Sequence, residues 1–153
     1  HRDLHSFPTR RSSDLTGGDL RGCIGTFSSD RPVTEQVVET AKDSTLNDYR
    51  FAGNRIRASE LKILEIDISL LSEIEETDIP ESIEIGTHGI IVTGLGRYAG
   101  RRGVFLPQVA TEHQLDVETF WNWVCSHKAG LPESAWKDPS ICKREIFTAQ
   151  VIS

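Results

Sequence analysis

The sequence predicts an α+β fold, with a largely antiparallel β-sheet and flanking helices. Three observations predict it. Residues 61–71, LKILEIDISLL, alternate strictly, with Leu64, Ile66, Ile68 and Leu70 facing one way and Glu65, Asp67 and Ser69 the other, which is the pattern of a half-buried strand. After Asp116, the apolar residues Val117, Phe120, Trp121, Val124 and Cys125 recur at helical spacing. Elsewhere, short β-prone runs are joined by glycine-rich turns and the helical stretches stand apart from them, an order that favours hairpins over regular βαβ units.

The elements can be justified in chain order. Residues 1–15, HRDLHSFPTRRSSDL, match the translation of a common short-read sequencing adapter at every position. They are set aside as non-native, leaving residues 16–153 as one domain truncated at its N-terminus. The segment is expected to be loosely attached, so that its deletion shifts the unfolding midpoint little. Its HRDL copies the start of a kinase catalytic loop, but Pro8 stands where that pattern needs Asn. Gly17-Gly18 reads as a turn into a strand at LRGCIGTF, residues 20–27. Pro32 suits a helix's first turn, and Val33, Val37, Val38 and Ala41 carry that helix to about Leu46. NDYRFAGNR is a polar connection, followed by the strand over 63–71, in which Ile66 and Ile68 are expected core residues. SIEIGTHGIIVTG reads as two strands joined around Gly86–Gly89, GLGRYAGRRG as a hairpin tip, and VFLPQVA as a further short strand. The helix capped by Asp116 ends at Gly130 with Pro132 beyond. SAWKD is a short helical turn and EIFTAQVIS a last strand.

Composition narrows the function. The chain of 153 residues carries 17 basic and 23 acidic residues, a net charge of −6; without residues 1–15 it is −7. That balance argues against a general nucleic-acid binder. No stretch approaches the roughly 20 apolar residues of a membrane span. Cys23, Cys125 and Cys142 form no C-x-x-C pair, and their odd number suits a reduced, cytoplasmic protein. Metal binding would need three or four convergent ligands, and no such spacing is present. GLGRYAG lies between strands and reads G-x-G-x-x-x-G, so it is not a dinucleotide fingerprint.

The chemistry-bearing candidates centre on Cys23. It lies between Gly22 and Gly25, and glycine weakens a strand unless something must approach the backbone closely. Arg21 falls on the same strand face, where a guanidinium would favour a thiolate or hold an anion. A free cysteine is equally at home as a small buried hydrophobe. If the glycines serve access, Gly22→Ala should spare the fold and abolish capture of a ligand. His88, in the GTHGI turn, is a further candidate for chemistry, though a tight turn also suits a structural histidine.

Several stretches together resemble the AMMECR domain family, whose microbial members are called AmmeMemoRadiSam system protein A. They are LRGCIGTF, NDYRF, ELKILEIDISLLS, IEIGTHGI, GVFLPQVA and HKAGLPESAW, in that order. Leu20, Arg21, Gly22, Cys23, Ile24 and Gly25 match its LRGCIG motif. Asp48, Arg50 and Phe51 match D-x-R-F; Gly86, His88 and Gly89 match G-x-H-G. Leu106, Pro107, Gln108 and Val109 match L-P-x-V, and Lys128 through Leu131 match K-A-G-L. Ala52-Gly53 departs from the prolines common after R-F, and Leu115 from a common Trp.

The resemblance implies an AMMECR-like α+β domain in which the motif strand lines a cleft, with an activity that is not established. It implies Memo-like and radical-SAM proteins as partners, and leaves the small-molecule ligand and any cofactor unspecified. Two function classes follow, the first the preferred reading and the second its alternative. One is an enzyme or enzyme component, with Cys23, Arg21 and His88 as catalytic candidates and Gly22, Gly25, Arg50, Gln108 and Lys128 lining the ligand site. The other is a non-catalytic binding or regulatory module using the same cleft, with Cys23 merely packed.

Overall fold

The computed structural model of the chain describes residues 20–27 and 30–153. The expectations for residues 1–15 and for the Gly17-Gly18 turn lie outside them. The described residues fall into two compact units: a larger one, Leu70–Gln150, and a smaller one running from residue 20 to Ser69 together with Val151–Ser153.

The larger unit is built on the expected antiparallel sheet. Its strands are β1 (Ile68–Leu71, of which Leu70 and Leu71 lie in this unit), β2 (Glu75–Glu76), β3 (His88–Gly94), β4 (Arg102–Phe105) and β5 (Cys142–Ile152, which lies in this unit as far as Gln150), in the order β1-β5-β3-β4, with β2 also pairing with β5. Central β3 is antiparallel to both neighbours, with Ile90 opposite Phe105 and Ile146, and Val92 opposite Gly103 and Arg144. Period-2 alternation sends Ile90, Val92 and Phe105 into one core. There they meet Val109, Phe120, Trp121, Val124, Cys125 and Trp136 from the helical side.

Those helices are α2 (Pro107–Glu112) and α3 (Val117–Trp123), the latter continued by a π-helical stretch, Val124–Ala129. Asp116 caps α3 by accepting the Thr119 N–H at 2.8 Å. Gly130 ends the run in the left-handed conformation, φ 66°, which glycine adopts without a Cβ clash. Phe105 stacks on Phe120 at 5.6 Å between ring centroids, and Trp121 on Trp136 at 6.0 Å. The indole N–H groups are satisfied, Trp121 by the Pro80 carbonyl at 2.9 Å and Trp136 by Asn122 Oδ1 at 2.7 Å. Cys125 and Cys142 are buried in the same core as free thiols, and Cys142 Sγ donates to the Ala135 carbonyl at 3.3 Å. The short turn Ala135–Lys137 and the β3–β4 hairpin tip are where the sequence placed them.

Three expectations for the strands need correction. Residues 83–87 form no strand: a 3-10 turn, Pro80–Ser82, and a further turn lead into β3, whose first residue is His88. VFLPQVA is only half a strand, because β4 ends at Phe105 and Pro107 opens α2. Proline lacks the ladder N–H yet has the φ of a first helical turn, so it converts one element into the other. The predicted strand 63–71 is regular only over Ile68–Leu71. Ile66, expected in the core, is 60% exposed and Ile63 81% exposed. Backbone periodicity without a partner strand along 63–67 does not bury a face.

The smaller unit has a different physical character. Its helix α1 (Val33–Leu46) begins one residue after Pro32, as expected, but buries no residue fully. A 3-10 turn follows at Tyr49–Phe51, and another at Ala58–Glu60. Among its described residues only Asp48 is buried, at 3% exposure. Among its described residues, polar bonds around charged groups rather than an apolar core organise this unit.

Candidate functional site

The LRGCIG segment forms neither strand nor helix, against expectation. Its backbone groups are met by side chains instead. The Cys23 N–H donates to Asp48 Oδ2 at 2.9 Å, and the Ile24 N–H to Ser44 Oγ at 3.0 Å. The Cys23 carbonyl accepts from Arg50 Nη2 at 2.6 Å. Arg50 in turn grips Asp48, with Nε on Oδ1 at 2.9 Å and Nη2 on Oδ2 at 2.7 Å. Both polar groups of the Cys23 residue are therefore held by one carboxylate–guanidinium pair two residues apart in D-x-R-F.

Local sequence explains how that pair is presented. Asp48 accepts the Arg50 N–H at 3.3 Å and so caps the 3-10 turn Tyr49–Phe51 with the same carboxylate. Arg50 also lies 5.4 Å over the Phe51 ring centroid, a cation–π contact that fixes the guanidinium's orientation. The Arg50 hydrogen bonds hold the Asp48 carboxyl at about 2, below its ordinary 3.8, against the opposing effect of burial, and the Cys23 N–H adds to the lowering. Arg50 is shifted upward, first by its bond to Asp48; the Cys23 thiol is among the neighbours that add to the shift. The thiol itself is half-buried.

The two glycines do different things. A Cβ on Gly22 would fall 2.2 Å from the Ser44 carbonyl oxygen, a backbone atom near the end of α1 that cannot move aside cheaply. Gly22 thus answers a packing demand, and the expectation that it keeps room for a substrate is corrected. A Cβ on Gly25 would meet nothing within 4 Å among the described residues. The residue opens on a cleft of about 200 Å³, lined by Ile24, Gly25 and Thr26 on one side and by Gln36, Thr40 and Asp43 of α1 on the other.

Arg21 points elsewhere. Its Nη1 and Nη2 fork onto Glu60, at 2.7 and 3.3 Å, while Nε and Nη2 donate to the carbonyls of Asn54 and Arg55 at 3.1 and 3.0 Å. Arg21 therefore ties the loop 54–60 to the motif, and Arg50 is the guanidinium that reaches Cys23. The remaining candidates belong to the larger unit. His88 Nδ1 accepts the Glu84 N–H at 2.9 Å and so closes the turn before β3. Gln108 is half-buried in the first turn of α2, and its carbonyl accepts from Thr111 Oγ1 at 3.0 Å. Lys128 holds its ammonium 6.0 Å above the Phe105 ring centroid. Ser44 and Glu60 were missed as members of the motif's surroundings. Only their polarity marks them in the sequence, since partners 20 and 39 residues away carry no local signature. Among the described residues no three His, Cys, Asp or Glu side chains converge as a metal site would require.

Comparison with known proteins bears on the whole arrangement. The family model AMMECR1 matches residues 7–152. Protein MK0488 of Methanopyrus kandleri is 40% identical over 160 residues, an alignment covering 94% of this chain and 74% of that protein. A protein of Methanococcoides burtonii is 37% identical over 124 residues, covering 78% of this chain and 58% of its own length. Among solved structures, the crystal structure of uncharacterized protein PH0010 from Pyrococcus horikoshii superposes with a TM-score of 0.73 at 32% identity, covering 86% of this chain and 63% of that one. This chain thus spans between about three-fifths and three-quarters of the length of these relatives. The match of the model across both units, joined to the same fold in a 32%-identical structure, shows that the chain belongs to the AMMECR1 domain family.

Proposed function

We propose that this domain is a binding or regulatory module whose working element is the ledge formed by residues 20–27. One observation carries it: the Asp48–Arg50 pair is used to hold the N–H and C=O of Cys23. Those groups fix the backbone of the ledge. Beside them, none of the described residues comes within 4 Å of a Cβ placed at Gly25, so a ligand or a partner's chain can lie against the backbone there. The side chain of Cys23 serves as a contact in this arrangement. The Memo-like and radical-SAM proteins implied by the resemblance are the partners to try first. The three free thiols fit a reducing compartment such as the cytoplasm.

A second possibility is favoured by one specific feature, the position of Arg50. Its Nη2 donates to the Cys23 carbonyl at 2.6 Å, which brings a cationic group next to the residue that carries the thiol. Cys23 would then be a nucleophile in an enzyme or an enzyme component.

Capture of metabolites and of the two partner types by the intact chain separates these. Gly25→Ala should reduce capture while leaving the unfolding midpoint almost unchanged, because the added Cβ meets nothing within 4 Å among the described residues; Gly25→Val, which is bulkier, should abolish capture. Cys23→Ser should retain capture if the segment is a binding ledge, and should lose turnover only if the thiol reacts. Undiminished capture by Gly25→Val would remove the ledge from consideration.

A further inference from the structure

On the far side of Arg21 the smaller unit carries a second polar concavity, of about 430 Å³, between the loop 52–57 and the turn 58–60. Its construction follows from the Arg21 bonds. The carbonyls of Asn54 and Arg55 point inward to the Arg21 guanidinium, and the Arg57 N–H is fixed on Glu60 Oε2 at 2.7 Å. Arg57 has extended backbone, φ −100° and ψ 153°, and residues 55–57 form no turn or helix. In an extended chain, residues i and i+2 project to the same side, with Cα atoms roughly 6–7 Å apart. Arg55 and Arg57 accordingly both line the concavity, both exposed. None of the ion pairs among the described residues involves either of them.

The charge around this concavity does not balance internally. Arg21, Arg55 and Arg57 contribute three positive charges, and among the described residues Glu60 is the one carboxylate that lines it. Such a local excess stands out in a chain whose net charge is −6. Arg55 and Arg57 line one concavity, so their like charges repel each other until an anion lies between them. A planar monocarboxylate is satisfied by one guanidinium fork, whereas a tetrahedral dianion offers edges to two forks at once. Ser59 adds a hydroxyl to the same lining.

We propose that Arg55 and Arg57, with Ser59, form a binding site for a small phosphate dianion, either inorganic phosphate or a phosphate monoester. The site uses side chains that Cys23 does not touch, so it stands independently of the role assigned to the ledge.

Titration of the full chain with inorganic phosphate at pH 7.5, followed by NMR of the arginine Nε–H groups, tests it. Sodium chloride at matched ionic strength is the control. Saturable shifts are expected at Arg55 and Arg57, and none at Arg97 or Arg101 on the β3–β4 hairpin. Phenyl phosphate should bind comparably if monoesters are accepted, whereas acetate should bind about tenfold more weakly or worse. The double variant R55Q/R57Q should weaken phosphate binding by about tenfold or more, since each charge-assisted contact is worth that much, with an unchanged unfolding midpoint. Equal shifts with chloride, acetate binding as tight as phosphate, or undiminished phosphate binding by R55Q/R57Q would overturn the proposal. The phosphate–acetate comparison uses the unaltered protein, so it decides even if the variant does not fold.

Discussion

At Gly22 a single missing methyl group decides how the motif meets α1. The Ser44 carbonyl occupies the place a Cβ would take, and forcing atoms into such a contact typically costs about 1–3 kcal/mol. Gly22→Ala should therefore lower the thermal midpoint by several degrees, while Gly25→Ala should leave it almost unmoved. Equal midpoints for the two variants would mean that Gly22 is not in contact with α1. Asp48 is the other decisive residue, because it is a buried carboxylate whose partners are Arg50 and the Cys23 N–H. Its folded value, about 2, lies below the ordinary 3.8. The stabilisation is thus complete above about pH 4 and is lost as the pH falls through 2. It amounts to roughly 1–2 kcal/mol, after allowing for the solvent that reaches Arg50. Chemical denaturation between pH 5 and pH 2 should show that loss in the native protein, and it should be absent from Asp48→Asn.

Element by element, what was legible in the sequence depended on whether an element closes its own hydrogen bonds. Helix α1 and α3 were readable from Pro32, Asp116, Gly130 and the spacing of Val117, Phe120, Trp121 and Val124, because helix bonds and caps are local. The central strand β3 was readable from its apolar run. The 63–71 alternation promised more strand than forms, since only Ile68–Leu71 finds its place in the sheet. Likewise LRGCIGTF has the composition of a strand, but side chains of Ser44 and Asp48 take its N–H groups. That substitution depends on residues 20 and 25 positions away and leaves no periodic trace. The consequence is measurable. Ile66→Ala, at an exposed position, should change stability by no more than about 0.5 kcal/mol. Ile90→Ala, in the fully buried centre of β3, should cost roughly 2–5 kcal/mol. Comparable losses at both positions would restore the longer strand.

For the molecule as a whole, the contrast between its two units is the dominant feature. The larger unit, Leu70–Gln150, encloses a core of stacked aromatic rings and β-branched side chains. The smaller unit relies on Asp48, Arg50, Arg21 and Glu60. The candidate site was legible to the extent that LRGCIG and D-x-R-F stood out together. That one motif holds the other's backbone was not, because hydrogen-bond partners follow from geometry rather than residue type. Stability divided in this way should appear as distinct opening free energies, with the polar unit responding to acid before the apolar one. Native-state hydrogen exchange at the Cys23 amide tests this most directly. The Asp48–Arg50 clamp predicts a protected Cys23 amide at neutral pH. That protection, corrected for the intrinsic rate, should fall as the pH drops from 4 toward 2, while the Ile90 amide stays protected. A Cys23 amide that exchanges at the unprotected rate at neutral pH would contradict the clamp, and with it the ledge proposed as the binding element.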